Sequence, residues 1–410
     1  MNNTPELLSP AGDLDKMRFG IAYGADAVYM AGTRFGMRAA ATNFDDNALR
    51  EGIAYAHAHG VKCYITVNIM PSNRDLPALP AYLELLQDAG ADALIIADVG
   101  VLRMARRYAP KVPVHISTQT SILNHEAANY WADEGAERIV LARELSLEEI
   151  AEIRAKTPKE LEIEAFVHGA MCISYSGRCL ISQYMTGRDA NHGACAQPCR
   201  WNYSLMEEKR PGQFFPVEED GRGTYLYNSK DMCMIEHVPE LIEAGITSFK
   251  IEGRNKTAYY AACVTGAYRA AIDTYKKDPE NFVLPQFCRD EVNKVSHREY
   301  YTGFYFGNQE NGQHYGDSQY IREYEVVGMP VECDDSGKAV FALKNRFFDG
   351  EELELIQPGQ APYVFHAENV TDDEGTKREL FNVPQMRVHF AFPFKVSEWA
   401  ILRKVKERPE

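Results

Sequence analysis

The stretch "DAGADALIIA", Asp88 to Ala97, decides the fold: the end of a helix, a glycine, then a short apolar run. The same phrase recurs as "AYGADAVYM" (22–30), "AHGVKCYITV" (58–67), "DEGAERIVLA" (133–142) and "EAGITSFKIE" (243–252). Gly24, Gly60, Gly90, Gly135 and Gly245 fall where a helix stop favours a left-handed residue. The runs after them are nearly continuous in Val, Ile, Leu and Ala, the composition of parallel strands covered on both faces. "ELLS" (6–9), "VPVHIS" (112–117) and "EIEAFV" (162–167) fit the same alternation without the glycine, which brings the strands to eight. Helices lie between them, among them "SLEEIAEIRAK", whose Ser146 and Glu149 form a capping box. Eight β/α units in roughly 250 residues, with no Gly-rich dinucleotide fingerprint, predict an α/β protein built on a TIM-type (β/α)8 barrel rather than an open doubly wound sheet.

A barrel of this kind carries its chemistry at the carboxyl ends of its strands. Those ends hold Ser9, Asn68, Asp98, Thr118, Gln119, Arg143, Glu144 and His168, then "KIEGRNK" with Lys250, Glu252 and Arg254. The unit between the seventh and eighth strands is expanded by an insertion, residues 170–246, that emerges at this rim. The barrel with its insertion is expected over residues 1–277, and a Pro-bearing and aromatic connector over 278–317. Over 318–410 the alternating strands predict a small β-barrel domain. Within it "KNRF", Lys344 to Phe347, sets basic residues beside an aromatic one, which suits single-stranded nucleic acid and equally a solvated surface turn.

The 410 residues are 45% hydrophobic with a formal charge of −15, which excludes disordered classes and any coating of nucleic acid by bulk attraction. With neither a run of about 18 apolar residues nor a basic and apolar leader, the expected location is the cytoplasm. Nine cysteines are too few for a disulfide scaffold, and an odd number suits a reducing compartment. Four of them, Cys172, Cys179, Cys195 and Cys199, crowd into the insertion as C-x6-C-x15-C-x3-C. Zinc favours paired knuckles, of which only the second pair has the form; a catalytic thiol needs one cysteine and a base; a cubane cluster accepts wide and uneven spacing. Spacing alone ranks iron–sulfur above zinc and leaves both open. Gly177, Gly187 and Gly193 offer backbone N–H groups to cluster sulfurs, and Arg178, Arg188 and Arg200 offset the charge of four thiolates. Cys233 is a fifth thiol, expected to be structural.

The stretch "EAFVHGAMCISYSGRCLIS" resembles the signature of peptidase family U32, and the likeness continues through "ELLSPAGD", "GADAVY", "CAQPCRW", "NSKD" and "KIEGR" into the C-terminal domain. Within the family the chain most resembles the branch that forms 5-hydroxyuridine at wobble position 34 of tRNA without molecular oxygen, with prephenate as the hydroxyl source. Other members hydroxylate a cytidine of ribosomal RNA or act in ubiquinone synthesis. The resemblance implies a [4Fe–4S] cluster on Cys172, Cys179, Cys195 and Cys199, prephenate as co-substrate and the tRNA anticodon stem-loop as partner. On this reading Arg143, Arg178, Lys250 and Arg254 grip the dianion, and Tyr175, Tyr184 and Trp201 stack on the splayed base. His168, Glu252 and Arg143 are the catalytic candidates, the first two for proton transfer. Two rival functions are a peptidase, as the family's historical name says, and a non-enzymatic RNA-binding scaffold. Neither a G-x-S-x-G nor an H-E-x-x-H motif supports the former.

Overall fold

The computed structural model describes residues 4–37, 42–171, 179–201, 230–307 and 320–406. Seven parallel strands run in sequence order: β1 (Glu6–Pro10), β2 (Ala27–Met30), β3 (Lys62–Val67), β4 (Ala93–Ile96), β5 (Val114–Ile116), β6 (Arg138–Val140) and β7 (Glu162–Ala170). A hairpin return, β8 (Asp231–Cys233), pairs antiparallel with the end of β7. The last barrel strand, β9 (Ser248–Ile251), pairs in parallel with both β7 and β1 and so closes the ring of eight. Helices α1 (Leu14–Ala22), α2 (Asp46–Ala58), α3 (Leu79–Ala89), α4 (Val99–Tyr108), α5 (His125–Asp133) and α6 (Leu147–Ala155) alternate with the first seven strands. Helix α7 (Ile181–Thr186) lies in the insertion, and α8 (Val238–Glu243) and α9 (Ala258–Lys277) flank β9. The five glycine stops all adopt positive φ, between 72° and 99°, and Ser146 and Glu149 close the capping box. Among the described residues no helix is long and apolar enough to cross a membrane.

Period-two alternation sorts each strand into an outer and an inner face. Outward residues such as Leu7, Val28, Ile65, Leu94, Ile139, Ile163 and Phe249 pack under the helices. Inward, a small apolar layer of Leu8, Ala27, Tyr29, Tyr64, Ala93 and Ile95 crosses the barrel. Beneath it, at the amino ends of the strands, sits a charged layer that sequence reading does not anticipate. Arg138 Nη1 reaches Glu6 at 2.6 Å and Glu164 at 3.1 Å, while Nη2 reaches Glu162 at 2.5 Å. Lys250 Nζ lies 2.6 Å from Glu164, and Tyr64 OH donates to Glu6 at 2.6 Å.

The expected connector is folded structure. It carries α10 (Gln286–Asn293), packed on α9 through the buried Cys288 and Val292, and β10 (Tyr300–Tyr301), which joins β8. The chain then builds an antiparallel sheet from β11 (Tyr324–Cys333), β12 (Lys338–Leu343), β14 (Glu352–Ile356), β15 (Tyr363–His366), β16 (Thr371–Asp372), β18 (Arg387–Ala391) and β19 (Ile401–Val405). Its order is β15-β14-β19-β11-β12-β18-β16, and β13 (Phe347–Phe348) pairs separately with β17 (Leu380–Phe381). Arg403 of β19 locks this sheet to the barrel. It is fully buried, 2.6 Å from Glu354 and Glu291, and donates to Tyr259 OH of α9 at 3.1 Å.

Candidate functional site

The inner face of the barrel ends, at the carboxyl side of the strands, in a pocket of about 70 Å³. Asn68, Thr118, Gln119, Arg143, Lys250, Glu252 and Arg254 from the expected ring all line it. Met37, Ile95 and Ser117 line it too, as do three further positions absent from that ring, Thr66, Tyr29 and Phe166. Their signal was strand alternation: Tyr29, Thr66 and Phe166 each lie two residues beyond an inward neighbour, so the same face continues upward. Ser9 instead shares a hydrogen bond with Thr265, and Asp98 caps α4, so neither serves the pocket.

The pocket is basic and incompletely satisfied. Arg143 donates to the Ala170 carbonyl at 2.8 Å and lies 4.8 Å from the Phe166 ring centroid, which ties the strand β6 end to the root of the insertion. Arg254 is buried beside Tyr29. Lys250 sits deepest, over the Tyr29 ring at 4.5 Å, with its charge already compensated by Glu164. Gln119 accepts from Ser117 through its carbonyl, while its Nε2, like Thr66 Oγ1, is buried with no hydrogen-bond partner among the described residues. Buried donors of this kind are costly unless a ligand or ordered water completes them. The "EGR" turn is seated by glycine. A Cβ on Gly169 (φ 107°) would stand 2.3 Å from the Glu252 carbonyl oxygen, and one on Gly12 2.1 Å from that of Arg254.

His168 lies elsewhere. It is 1% exposed, lines neither this pocket nor the cleft described below, and is ringed by Tyr260, Tyr268 and Tyr300. Burial, with His297 and Lys256 nearby, pushes its pKa down to about 3, so the imidazole is neutral. Cys233, opposite His168 across the β7–β8 pairing, belongs to the same cage, and burial pushes its thiol up to about 12. Its thiol hydrogen-bonds with Tyr268 inside that cage.

Of the four clustered cysteines, Cys172 lies outside the described residues, as do Tyr175, Arg178 and the side chains of Tyr184 and Arg200. Cys179, just before α7, and Cys195 and Cys199 are partly exposed. Helix α7 packs on the 3-10 turn Pro198–Arg200 that carries Cys199, and Ala196 N–H donates to Ser182 Oγ of α7 at 3.0 Å. Gln197, in the left-handed region, directs its N–H to Cys195 Sγ at 3.3 Å, the kind of bond a thiolate ligand accepts. Such a bond suits a metal-bound thiolate, on zinc or on iron alike. Among the described residues no three His, Cys, Asp or Glu groups close as a metal-binding cluster. Trp201 ends this segment, exposed to solvent. Met70 N–H donates to Asn191 O at 3.1 Å, which pins the insertion to the loop after β3 at the rim.

A second, larger cleft of about 990 Å³ lies between this rim and the C-terminal sheet, with Ala170, Cys195, Glu252 and Lys344 among its lining residues. Glu252 thus lines both cavities. Of "KNRF", Lys344 lines this cleft. Phe347 is fully buried and stacks on Phe381 at 4.8 Å, because the short strand β13 turns it into the sheet's core.

Residues 12–315 match the model of peptidase family U32, and residues 322–403 match that of the family's C-terminal domain. A tRNA hydroxylation protein of Bacillus subtilis is 39% identical over 404 residues, 98% of this chain and 95% of that protein. One of Escherichia coli is 37% identical, covering 90% of each chain. A 23S rRNA 5-hydroxycytidine synthase of Escherichia coli is 40% identical over 332 residues, 80% of this chain and 48% of that protein.

Proposed function

The chain belongs to peptidase family U32, and from that premise we propose that it is an RNA-modifying hydroxylase acting on the wobble uridine of tRNA, with prephenate as the hydroxyl source. The observation that carries this reading is the barrel mouth: Arg143 and Arg254 line it with Gln119 Nε2 and Thr66 Oγ1, which have no partner among the described residues, and Glu252 is shared with the cleft that Cys195 lines. Guanidinium groups pair with carboxylates through parallel N–H donors, so a dicarboxylate suits this lining. At about 70 Å³ the pocket admits a carboxylate group rather than a whole ten-carbon dianion. The remainder extends past Glu252 toward the cleft.

Cys172, Cys179, Cys195 and Cys199 would hold a [4Fe–4S] cluster, which supplies redox-active iron at the rim. The chain's own groups do the positioning. Arg143 and Arg254 orient the anion, Gln119 Nε2 donates to it, and Glu252 stands where its carboxylate takes or returns a proton as the pyrimidine C5–H is replaced. His168, neutral and sealed, supports the end of β7 rather than exchanging protons with substrate. The buried thiols offer a peptidase no nucleophile: burial pushes the Cys288 thiol up to about 12 and those of Cys63 and Cys263 higher still, far from the thiolate such a group requires.

Nucleoside mass spectrometry of tRNA from a deletion strain tests the proposal. Loss of 5-hydroxyuridine-derived nucleosides, restored by the wild-type chain and not by Cys195→Ala, is expected. Iron content and visible absorbance of anaerobically purified protein should fall in parallel. Full restoration by the variant, or a colourless wild type, would remove the cluster from the account.

A further inference from the structure

We propose that the cleft between the barrel rim and the C-terminal sheet seats a single-stranded RNA segment and leads one base to the mouth, an inference that rests on the hydroxylase reading and locates its macromolecular substrate. The chain carries a net charge of −15, yet Arg188 and Lys256 on the barrel side face Arg322, Lys344 and Lys406 on the sheet side, against Glu252 and Glu325 alone among the described residues of the same lining. Arg188, Lys344 and Lys406 are exposed and pair with no carboxylate among the described residues. Surface lysines on an acidic protein ordinarily find acidic neighbours, so a concentration without them marks a place for an external anion.

A second groove on the C-terminal sheet provides the internal contrast. At about 930 Å³ it is nearly as large, but Glu332, Asp334 and Glu398 line it against Lys338. Size does not distinguish the two; the sign of the lining does. The basic cleft also carries aromatic surface. Tyr320 lies under Lys256 Nζ at 4.4 Å and near the Arg322 guanidinium at 5.7 Å, and Tyr324 shares the wall. Cations for phosphates beside rings for bases are the combination that holds single strands, whereas a duplex hides its base faces. Where the cleft meets the rim stand Cys195 and Glu252, so a strand lying along it presents a base to the proposed chemistry without crossing the barrel.

The experiment uses the full chain and a fluorescein-labelled anticodon stem-loop oligonucleotide, with anisotropy read from 50 to 200 mM salt. Lys344→Glu with Lys406→Glu should weaken binding at least tenfold, and Lys344→Gln with Lys406→Gln should lower the salt slope by about two, one phosphate contact for each lysine. Lys338→Glu, in the acidic groove, should bind within twofold of wild type, with circular dichroism and iron content unchanged in all three. Wild-type affinity in both double variants would overturn the cleft assignment, and so would equal competition by a fully paired RNA duplex. If those variants also restore hydroxylation in cells, the cleft fails while the hydroxylase reading stands. A wild type that neither binds the oligonucleotide nor restores hydroxynucleosides fails both.

Discussion

The two ends of one barrel treat charge in opposite ways. At the amino ends of the strands, Glu6, Glu162 and Glu164 close on Arg138 and Lys250 in a layer where each ion meets a partner at 2.5–3.1 Å, with Arg138, Glu164 and Lys250 buried and Glu162 at the open edge. At the carboxyl ends, Arg143, Lys250 and Arg254 share a cavity with Glu252, and two buried polar atoms find no partner among the described residues. Charge compensated in a dry interior is architecture; positive charge gathered at a cavity is an invitation to an anion. Lys250 belongs to both ends by its lining position, but its short bond to Glu164 places it with the architecture.

The largest expected effect tests the closed end. Arg138→Met takes the counterion from the largely buried Glu6 and leaves the fully buried Glu164 with Lys250 alone, and should cost about 3–5 kcal/mol of stability in denaturant unfolding. The wild type should show the same weakness in acid. Burial raises the Glu6 carboxyl, but Arg138, with hydrogen bonds from Tyr64 and Ser248, outweighs it and holds the pKa below the ordinary value. A carboxyl depressed on folding contributes stability above its unfolded pKa of about 4.3, and that contribution is lost as pH falls through the lower folded value. A variant as stable as wild type would dissolve the distinction between the two ends.

At the open end the expectation inverts. Arg254→Gln should lower hydroxylation about 100-fold while shifting unfolding by no more than about 1 kcal/mol. A large stability loss with normal activity in the surviving fraction would make Arg254 architectural too.

The smallest effect concerns His168, which stands beside the mouth without joining it. Its folded pKa of about 3 lies below the unfolded value of about 6.5, so stability present above pH 6.5 drains as pH falls toward 3. The slope is about 1 kcal/mol per pH unit, and His115, depressed by burial and then by Arg138, adds to it with the same sign. His168→Gln should therefore reduce, without abolishing, the difference in unfolding midpoint between pH 7 and pH 5. Hydroxylation by this variant should keep the wild-type pH profile; loss of a limb near neutrality would return His168 to proton transfer.

Much of this molecule was legible in its residues. Helix, glycine and apolar run repeat locally, and each of the five glycine stops depends only on its own backbone, so the alternation of the barrel follows from spacing, and with it Asn68, Thr118, Gln119, Arg143, Lys250, Glu252 and Arg254 at the rim. Three things were not legible, because each joins residues far apart in the chain. The charged layer links Glu6 to Arg138 and Ser248 through strand register. The seal on His168 needs Tyr300 to return through β8 and β10. The cleft needs Arg188 and Lys344 brought to face each other across a domain junction held by Arg403.

The linear chain by itself determined the barrel, the thiol cluster and the identity of the polar groups at the strand ends, since periodicity and turn chemistry act over a few residues at a time. Only the tertiary structure decided which of those groups are spent on one another and which are left facing a cavity. Compensation of charge depends on distance and burial, and neither is written in spacing along a sequence.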